Sequence, residues 1–255
     1  SNSLIDNAKN LLAEELNLPT DEDLEKLDKR DFYSVSLSNL NYRLDGSYHL
    51  PIVNTLIDRM QKCAGSILPL SDNRLTTSII LPPRFKRTYV EAGHGRVLFG
   101  GKQIYELDPS NKKYLSLKAH DKLYREQLEI KENTILITRS GTIGKVALTP
   151  KHWENWVASD HIIRVVPTSK EIAGYLYIFL DSSYGYYFIT KHTYGSVIDE
   201  IDDNQVGEIP IPILKDEKKQ KEINDLALEA NQKRYEAYLC EQEALDIMNK
   251  EVLQS

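Results

Sequence analysis

The sequence predicts an α+β protein: a mostly β central domain with peripheral helices, followed by one long C-terminal helix of the coiled-coil type. Two patterns within the 255 residues lead to this fold class. Between residues 66 and 168, short β-type runs alternate with turn residues. From residue 216 onward, apolar residues recur at helical spacings for nearly 40 residues. The chain is therefore divided into residues 1–31, 32–214 and 215–255.

The first part of the chain begins with a helical pattern. Residues 3–17 place Leu4, Ala8 and Leu12 on one face, which predicts an amphipathic helix. Pro19 ends this helix, and the acidic stretch 21–31 is typical of a linker or a solvated segment. Pro51 then opens a second helical pattern, since proline is compatible with the first turn of a helix.

The central part contains six runs that predict strands, at residues 78–81, 88–90, 96–99, 134–138, 145–149 and 162–166. Ser169 is the predicted N-cap of a further helix, which is followed by a tyrosine-rich loop. Residues 209–213 alternate isoleucine with proline. Because proline cannot donate to a strand ladder, this segment is predicted to be an edge strand or an extended connector.

The C-terminal helix carries a narrow apolar seam that runs from Ile223 to Val252. Such a seam is typical of a coiled coil, whereas a helix packed in a bundle usually shows a wider apolar stripe. A partner helix is therefore favoured over packing against the chain's own domain, although both interpretations stay open.

The net charge of −6 argues against a nucleic-acid partner, but its distribution argues the other way. Residues 1–31 carry four basic and nine acidic side chains, and residues 215–255 carry seven and ten. Between these acidic ends, residues 82–102 hold one acid and five basic residues: Arg84, Lys86, Arg87, Arg96 and Lys102. A local basic patch of this kind is what phosphate binding requires.

Composition excludes several other classes. The sequence contains no run of 18 apolar residues, so no membrane span is predicted, and its N-terminus lacks a signal-peptide pattern. Cys63 and Cys240 lie far apart and outside any CxxC or Cys/His cluster. Two buried or partly buried free thiols of a reducing, cytoplasmic compartment are expected, with neither a disulfide nor a metal site.

Residues 135–148 place two β-type runs around a tight turn that carries Arg139, Ser140, Thr142 and Lys145. The segment 141–146 is not a phosphate loop, because its glycine spacing is wrong and Val146 stands where a magnesium-binding hydroxyl belongs. What remains is a hairpin tip that presents polar and cationic groups. From these residues alone, an ordinary hairpin is slightly favoured over a binding loop.

Catalytic interpretations are weaker. Asp121, Glu129 and Lys131 imitate a nuclease spacing, which arises easily by chance among 38 acidic and 32 basic residues. Residues 159–161 join Ser, Asp and His, but neighbours on a strand point to opposite faces, so a satisfied polar cluster is expected instead. Residues 82–84 lack the flanking residues and the glycine-rich loop of a base methyltransferase. No catalytic residue is predicted.

Several segments together resemble the specificity subunit of type I restriction-modification systems. In chain order, the matching segments are 8–18, 43–48, 91–96, 135–148, 159–166, 194–196 and 206–212. The resemblance covers nearly the whole chain, and it implies one target recognition domain preceded by the tail of a central helix and followed by a distal helix. Full-length members of the family carry two such domains, so the resemblance implies either the C-terminal half of a longer subunit or a natural half-subunit that dimerises.

The resemblance implies sequence-specific recognition of one half of a bipartite target in double-stranded DNA. The expected partners are methyltransferase subunits, the restriction subunit through them, and a second specificity half through the long helix. Catalysis would belong to these partners, so no cofactor is expected here. The open alternatives are the recognition domain of a single-chain restriction and methyltransferase enzyme, a nuclease, and a coiled-coil interaction protein.

The expected DNA-binding residues belong to three groups. The basic residues of 82–102 would contact phosphates, and polar residues of the hairpin, chiefly Arg139 and Thr142, would reach base edges. Lys191 and Tyr194 of the tyrosine-rich loop would add a further contact. The complete set is Arg84, Lys86, Arg87, Arg96, Lys102, Arg139, Ser140, Thr142, Lys145, Lys191 and Tyr194.

Overall fold

The computed structural model describes residues 2–28, 32–40, 43–193 and 200–251. Its helices are α1 Asn2–Glu15, α2 Asp21–Asp28, α3 Pro51–Cys63, α4 Leu117–Leu123, α5 Lys170–Leu180, α6 Ser183–Thr190, α7 Asp203–Gly207 and α8 Glu217–Glu251. Its strands are β1 Ser66–Pro69, β2 Thr76–Ile80, β3 Tyr89–Val90, β4 Arg96–Phe99, β5 Lys113–Leu115, β6 Ile135–Thr138, β7 Val146–Leu148, β8 Val157–Ala158, β9 Ile162–Pro167 and β10 Pro210–Ile213.

The described strands form three sheets, in the orders β2-β9-β6-β7, β3-β5-β4-β8 and β1-β10. The first sheet is buried on both faces. Ile135 and Ile137 pack into the main core with the helices, whereas Leu136 packs into a second cluster around Phe99 and Trp153. This follows from the two-residue side-chain period of a strand, and it joins the helical layer to the second sheet. The predicted α+β class is confirmed.

Several predicted elements are found where the sequence places them. Helix α3 begins at Pro51, and β4 coincides with the predicted strand at 96–99. Ser169 is the N-cap residue of α5, although its side chain makes no capping hydrogen bond. The isoleucine–proline segment forms β10, which pairs only with β1 in a two-stranded sheet. The edge-strand prediction is therefore confirmed.

Two segments predicted as linker or loop are helical. Residues 21–28 form α2, whose first turn carries Asp21, Glu22 and Asp23. Acidic side chains stabilise the positive end of the helix dipole, and Leu24, only 2% exposed, anchors the helix in the core. The tyrosine-rich segment forms α6, where the Gly185 amide donates to Ser182 Oγ at 3.2 Å. A hydroxyl cap and buried aromatic rings outweigh the weak helix propensity of tyrosine.

The proximal half of α8 packs against α1 and α5 of its own chain, contrary to the predicted partner seam. Ile223, Ala227 and Ala230 are buried there. Asn224 Oδ1 accepts hydrogen bonds from the Gly174 and Tyr175 amides at 2.9 and 3.2 Å. A Cβ at Gly174 would lie 2.3 Å from the Asn224 carbonyl oxygen, so only glycine permits this close approach of the helices.

The distal half of α8 differs, because Leu239, Leu245, Ile247 and Met248 are about half exposed. Cys63, at the end of α3, is partly buried, whereas Cys240 on α8 is exposed. The prediction that both thiols are at least partly buried is therefore wrong for Cys240. None of the described helices has the length and apolar character needed to cross a membrane. The domain boundaries at residues 31 and 214 stay predictions.

Candidate nucleic-acid interface

A cleft of about 640 Å³ lies between the second sheet and the β6–β7 hairpin. Three cationic residues line it: Arg87, Lys102 and Lys113. Its lining also offers amide, hydroxyl and imidazole groups, which belong to Gln103, Asn111, Ser140, Thr142 and His161. No carboxylate is among the described residues that line the cleft. The cleft is therefore positive and rich in hydrogen-bonding groups.

The cations of the cleft are not equivalent. The Arg87 guanidinium forms an ion pair with Asp160, whose side chain is buried. Burial opposes the charge of Arg87, but the hydrogen bond and charge of Asp160 outweigh it and raise the Arg87 pKa. Lys102 and Lys113 are exposed, and neither pairs with a described carboxylate. Lys113 Nζ lies 5.7 Å from the centre of the Tyr89 ring, in a cation–π contact.

The hairpin tip is rigid. The Thr138 hydroxyl donates to the Thr142 carbonyl oxygen at 2.5 Å and accepts from the Lys145 amide at 3.0 Å. Gly141 and Gly144 have φ angles of 77° and 82°, a left-handed conformation that other residues rarely adopt. This geometry turns Ser140 and Thr142 into the cleft.

Arg139 and Lys145 of the same hairpin are turned elsewhere. The Arg139 side chain is only 11% exposed and forms an ion pair with Glu200. Arg84 binds the same carboxylate at 3.1 Å, but its side chain is 72% exposed. Lys145 Nζ lies 5.3 Å from the centre of the Tyr105 ring, outside the cleft lining. The hairpin thus has a binding side and a bracing side.

The remaining predicted residues lie outside the cleft lining. Lys86 and Arg96 are exposed on the surrounding surface. Lys191 follows α6, whose Tyr186 and Thr190 contact the hairpin at Gly144. Tyr194 lies outside the described residues. The structure thus gathers Arg87, Lys102, Ser140 and Thr142 in one cleft and leaves the other described members of the predicted set around it.

Lys191 belongs to a second cationic cluster. Its Nζ lies 4.5 Å from the centre of the Tyr48 ring, and the Arg43 guanidinium lies 4.8 Å from the same ring. Asp45 neutralises Arg43 through two hydrogen bonds of 2.7 Å. Burial lowers the pKa of Lys191, and burial together with Lys191 and Arg43 lowers the pKa of His192 to about 4. Glu208 acts in the opposite direction on Lys191 and Asp202 on His192, but burial and the two cations outweigh them.

The floor of the cleft is shaped by a buried arginine. Arg164 is 1% exposed, and its guanidinium donates to the carbonyl oxygens of Ala158, Ser159 and Ile162. These bonds hold the turn between β8 and β9, which contains Asp160 and His161. The polar cluster predicted at 159–161 is thus present, but it sits on a turn rather than on a strand, and its hydroxyl partner for His161 is Ser140 at 2.7 Å.

Sequence reasoning missed Gln103, Asn111, Lys113 and His161 as residues of the cleft. Gln103, Asn111 and Lys113 belong to no motif, and β5, which carries Lys113, was not predicted. His161 lies in the 159–161 cluster, which was interpreted as a satisfied polar cluster and not as a binding group. The proposed nuclease set shows no built site: Asp121 is exposed and paired with Arg125 at 2.9 Å. Among the residues that the structure describes, no three His, Cys, Asp or Glu side chains are grouped to hold a metal ion.

Comparison with known proteins identifies the class. A family model described as "Type I restriction modification DNA specificity domain" matches residues 99–226, just over half of the chain and most of the cleft. The chain belongs to this family, and the suspected resemblance is confirmed. No sequence among curated proteins matches it.

Solved structures of this kind resemble the chain at low identity. A type I S subunit from M. genitalium is 15% identical over 63% of this chain and 37% of its own, with a TM-score of 0.44. The HsdS subunit from Thermoanaerobacter tengcongensis is 17% identical to this chain, and the match covers 71% of this chain and 44% of that subunit, also with a TM-score of 0.44. A chain from a structure of type I R-M complex assembly is 14% identical to this chain, and the match covers 94% of this chain and 67% of the other, with a TM-score of 0.48. This chain therefore spans less than half the length of the first two.

Proposed function

We propose that the chain recognises a DNA sequence as one target recognition domain of a type I specificity subunit. The observation that carries the proposal is the cleft, in which three cations and no described carboxylate surround fixed hydrogen-bonding side chains. Cations attract the phosphate backbone, and amide, hydroxyl and imidazole groups form hydrogen bonds to base edges. Membership of a DNA specificity family gives this combination its substrate class.

The geometry suggests a division of labour. Lys102, Lys113 and the exposed Arg84, Lys86 and Arg96 are proposed phosphate contacts, which give register without reading sequence. Thr142, Gln103 and Asn111 are proposed base contacts. Gln103 Oε1 already accepts from the Gly100 amide at 3.2 Å, which leaves its NH₂ group to act as the donor. Ser140 positions a neighbouring side chain, and Arg87 completes the positive wall.

Three further predicted residues receive separate roles. Arg139 and Lys145 are proposed to brace the hairpin, because their charged groups engage Glu200 and Tyr105. Lys191 is proposed to contact a phosphate beyond the cleft, since it follows the helix that packs against the hairpin tip. Tyr194, which lies outside the described residues, stays a proposed DNA contact of the tyrosine-rich segment.

The chain is proposed to act without catalysis or cofactor of its own. We propose that methyltransferase subunits dock on the helical layer and bring the restriction subunit with them. The distal part of α8 is the proposed contact to a second specificity half, because Leu245 and Met248 are about half exposed there. Helix-to-helix burial of such residues is the usual driving force for coiled-coil pairing.

The direct test is selection of bound duplexes from a random pool by the 255-residue chain at low salt. We expect enrichment of one short sequence, and we expect Thr142→Ala and Asn111→Ala to relax the preference at different positions of it. Lys26→Ala, on α2 and paired with Glu22, is the matched control and should leave the preference unchanged. Enrichment of no sequence, or magnesium-dependent cleavage of the duplex by the isolated chain, would contradict the proposal.

A further inference from the structure

The backbone and the ring of His161 are both held in place in the cleft wall. Its carbonyl oxygen accepts from the Arg139 amide at 3.0 Å, and its own amide donates to Ser159 Oγ at 3.3 Å. Its ring Nδ1 lies 2.7 Å from Ser140 Oγ. Both the backbone and the ring are therefore fixed before any ligand arrives, so binding through this ring costs little conformational entropy.

The other ring nitrogen is the one available to a ligand. Nε2 makes no hydrogen bond to a described residue, and the His161 side chain is 45% exposed in the cleft wall. Asp160 Oδ2 lies 4.0 Å from Nε2, too far for a hydrogen bond. A serine hydroxyl serves as either donor or acceptor, so the Ser140 hydroxyl can donate to Nδ1 and leave the ring proton on Nε2. In that tautomer, Nε2–H is a donor held in a fixed direction.

Asp160 does not compete with a ligand for this donor. Arg87 engages Oδ1 of its carboxylate, and Oδ2 stays 4.0 Å from Nε2, beyond hydrogen-bond distance. The turn that carries Asp160 is held there by the buried Arg164. A phosphate suits Lys102 and Lys113, which offer full positive charges in the same cleft, better than a single ring N–H. A neutral acceptor on a base edge suits this donor better.

We infer that His161 is a specificity-determining residue that donates its Nε2–H to purine N7 in the major groove. N7 is the acceptor that both adenine and guanine expose there, so a donor aimed at it accepts either purine and disfavours cytosine, which exposes a donor there. This inference rests on the proposed function, because it assigns a chemical role within the proposed DNA cleft. Ser140 is then a positioning residue, which holds the ring in the orientation that reads the base.

The test combines a protein change with the removal of a single DNA atom. The probe is the duplex that the wild-type chain enriches, with its purines replaced one at a time by 7-deaza analogues that lack N7. We expect the wild-type chain to lose about fivefold in affinity at one purine, in line with the loss of one hydrogen bond. His161→Phe should bind the unmodified duplex about fivefold more weakly and show no further loss at that same purine.

Two controls separate this role from a structural one. His94→Phe changes an exposed histidine on the β3–β4 turn, outside the cleft lining, and should match the wild-type chain at every purine. Ser140→Ala should weaken discrimination at the His161-dependent purine alone. If His161→Phe retains the wild-type sensitivity at every purine, or weakens all duplexes equally, the inference is overturned. If the wild-type chain enriches no duplex, the proposed function fails and the inference fails with it.

Discussion

Two groups of cations in this molecule have different surroundings. Arg84 and Arg139 converge on the single carboxylate of Glu200. Lys102 and Lys113 line the cleft without a described carboxylate beside them. The Glu200 carboxylate offsets only one of the two guanidinium charges of the first group, chiefly that of the buried Arg139, and the exposed Arg84 keeps much of its charge. The second group leaves all of its charge to be satisfied by solvent or by a ligand.

The difference teaches that residue type and sequence position are poor guides to which cation binds a ligand. Arg139 and Ser140 are adjacent on the hairpin, yet one side chain is buried against Glu200 and the other lines the cleft. A buried arginine that has a carboxylate partner stabilises the fold, because removing the arginine leaves an unpaired charge in the interior. An exposed unpaired lysine contributes little to the fold and is available to an anion.

The largest effect on stability should come from Arg139→Ala. We expect a loss of about 3 kcal/mol in the free energy of unfolding, since the change leaves Glu200 half-buried and without its main partner. The sequence preference of the folded fraction should be unchanged. Chemical denaturation and duplex selection measure the two properties separately.

Arg84→Ala is the matched control, because Arg84 binds the same carboxylate from an exposed position. Its ion pair is solvated, and we expect a change of less than about 0.5 kcal/mol. If Arg139→Ala instead retained full stability and altered the preferred sequence, Arg139 would belong to the reading group, and the contrast between the two groups would be lost.

A smaller effect should appear at acidic pH in the cluster around Lys191. The pKa of His192 is about 4 in the folded chain, against an ordinary value of 6.5, because burial and the neighbouring Lys191 and Arg43 oppose its charge. The unfolded chain therefore takes up this proton first as the pH falls below 6.5. The stability contributed by neutral His192 is complete above pH 6.5 and is lost progressively down to pH 4, by about 2 kcal/mol at pH 5.

His192→Asn removes the titrating group and keeps a polar side chain. We expect the difference in unfolding free energy between the wild type and His192→Asn to shift by about 2 kcal/mol in favour of the variant between pH 7 and pH 5. Lys191→Gln should reduce that shift in the wild-type background, because it removes one of the charges that oppose protonation. A difference that does not change with pH would show that the cluster carries no uncompensated positive field.

These regions also differ in how much of their structure could be predicted from the sequence. Periodicity was sufficient for α3, α8 and the buried strands, since a repeated apolar face has one simple solution. It was insufficient for α2, which is stabilised by its acidic first turn and by burial of Leu24. It was also insufficient for α6, which is stabilised by a hydroxyl cap and by buried aromatic rings. The basic island contains Arg87 and Lys102, which line the cleft, but also three residues outside the lining, so charge density alone did not locate the cleft. The contact of these residues with phosphate stays a prediction.

The role of Arg139 could not be predicted, because its partner Glu200 lies 61 residues away and no short-range pattern connects the two. His161 was missed for the same reason, since Ser140 lies 21 residues from it. Glu200 and Ser140 come together through an isolated bridge that only the fold creates. Long-range pairing of this kind decides which side of a hairpin faces a ligand, and it leaves no trace in local composition.

The smallest expected change in stability, and the sharpest test of the contrast, comes from Lys102→Gln. Because Lys102 is exposed and unpaired among the described residues, its neutralisation should leave the melting temperature within a degree or two of the wild type. The logarithm of the affinity for a duplex of arbitrary sequence should, however, depend less steeply on the logarithm of the salt concentration, by about 0.9, since one phosphate contact is lost. Lys145→Gln, on the bracing side of the hairpin, should leave that slope unchanged. The salt dependence counts the charges that contact phosphate and not those that only lie near it. If Lys102→Gln retains the wild-type slope, or if Lys145→Gln reduces the slope, the assignment of Lys102 to phosphate binding and of Lys145 to bracing is wrong.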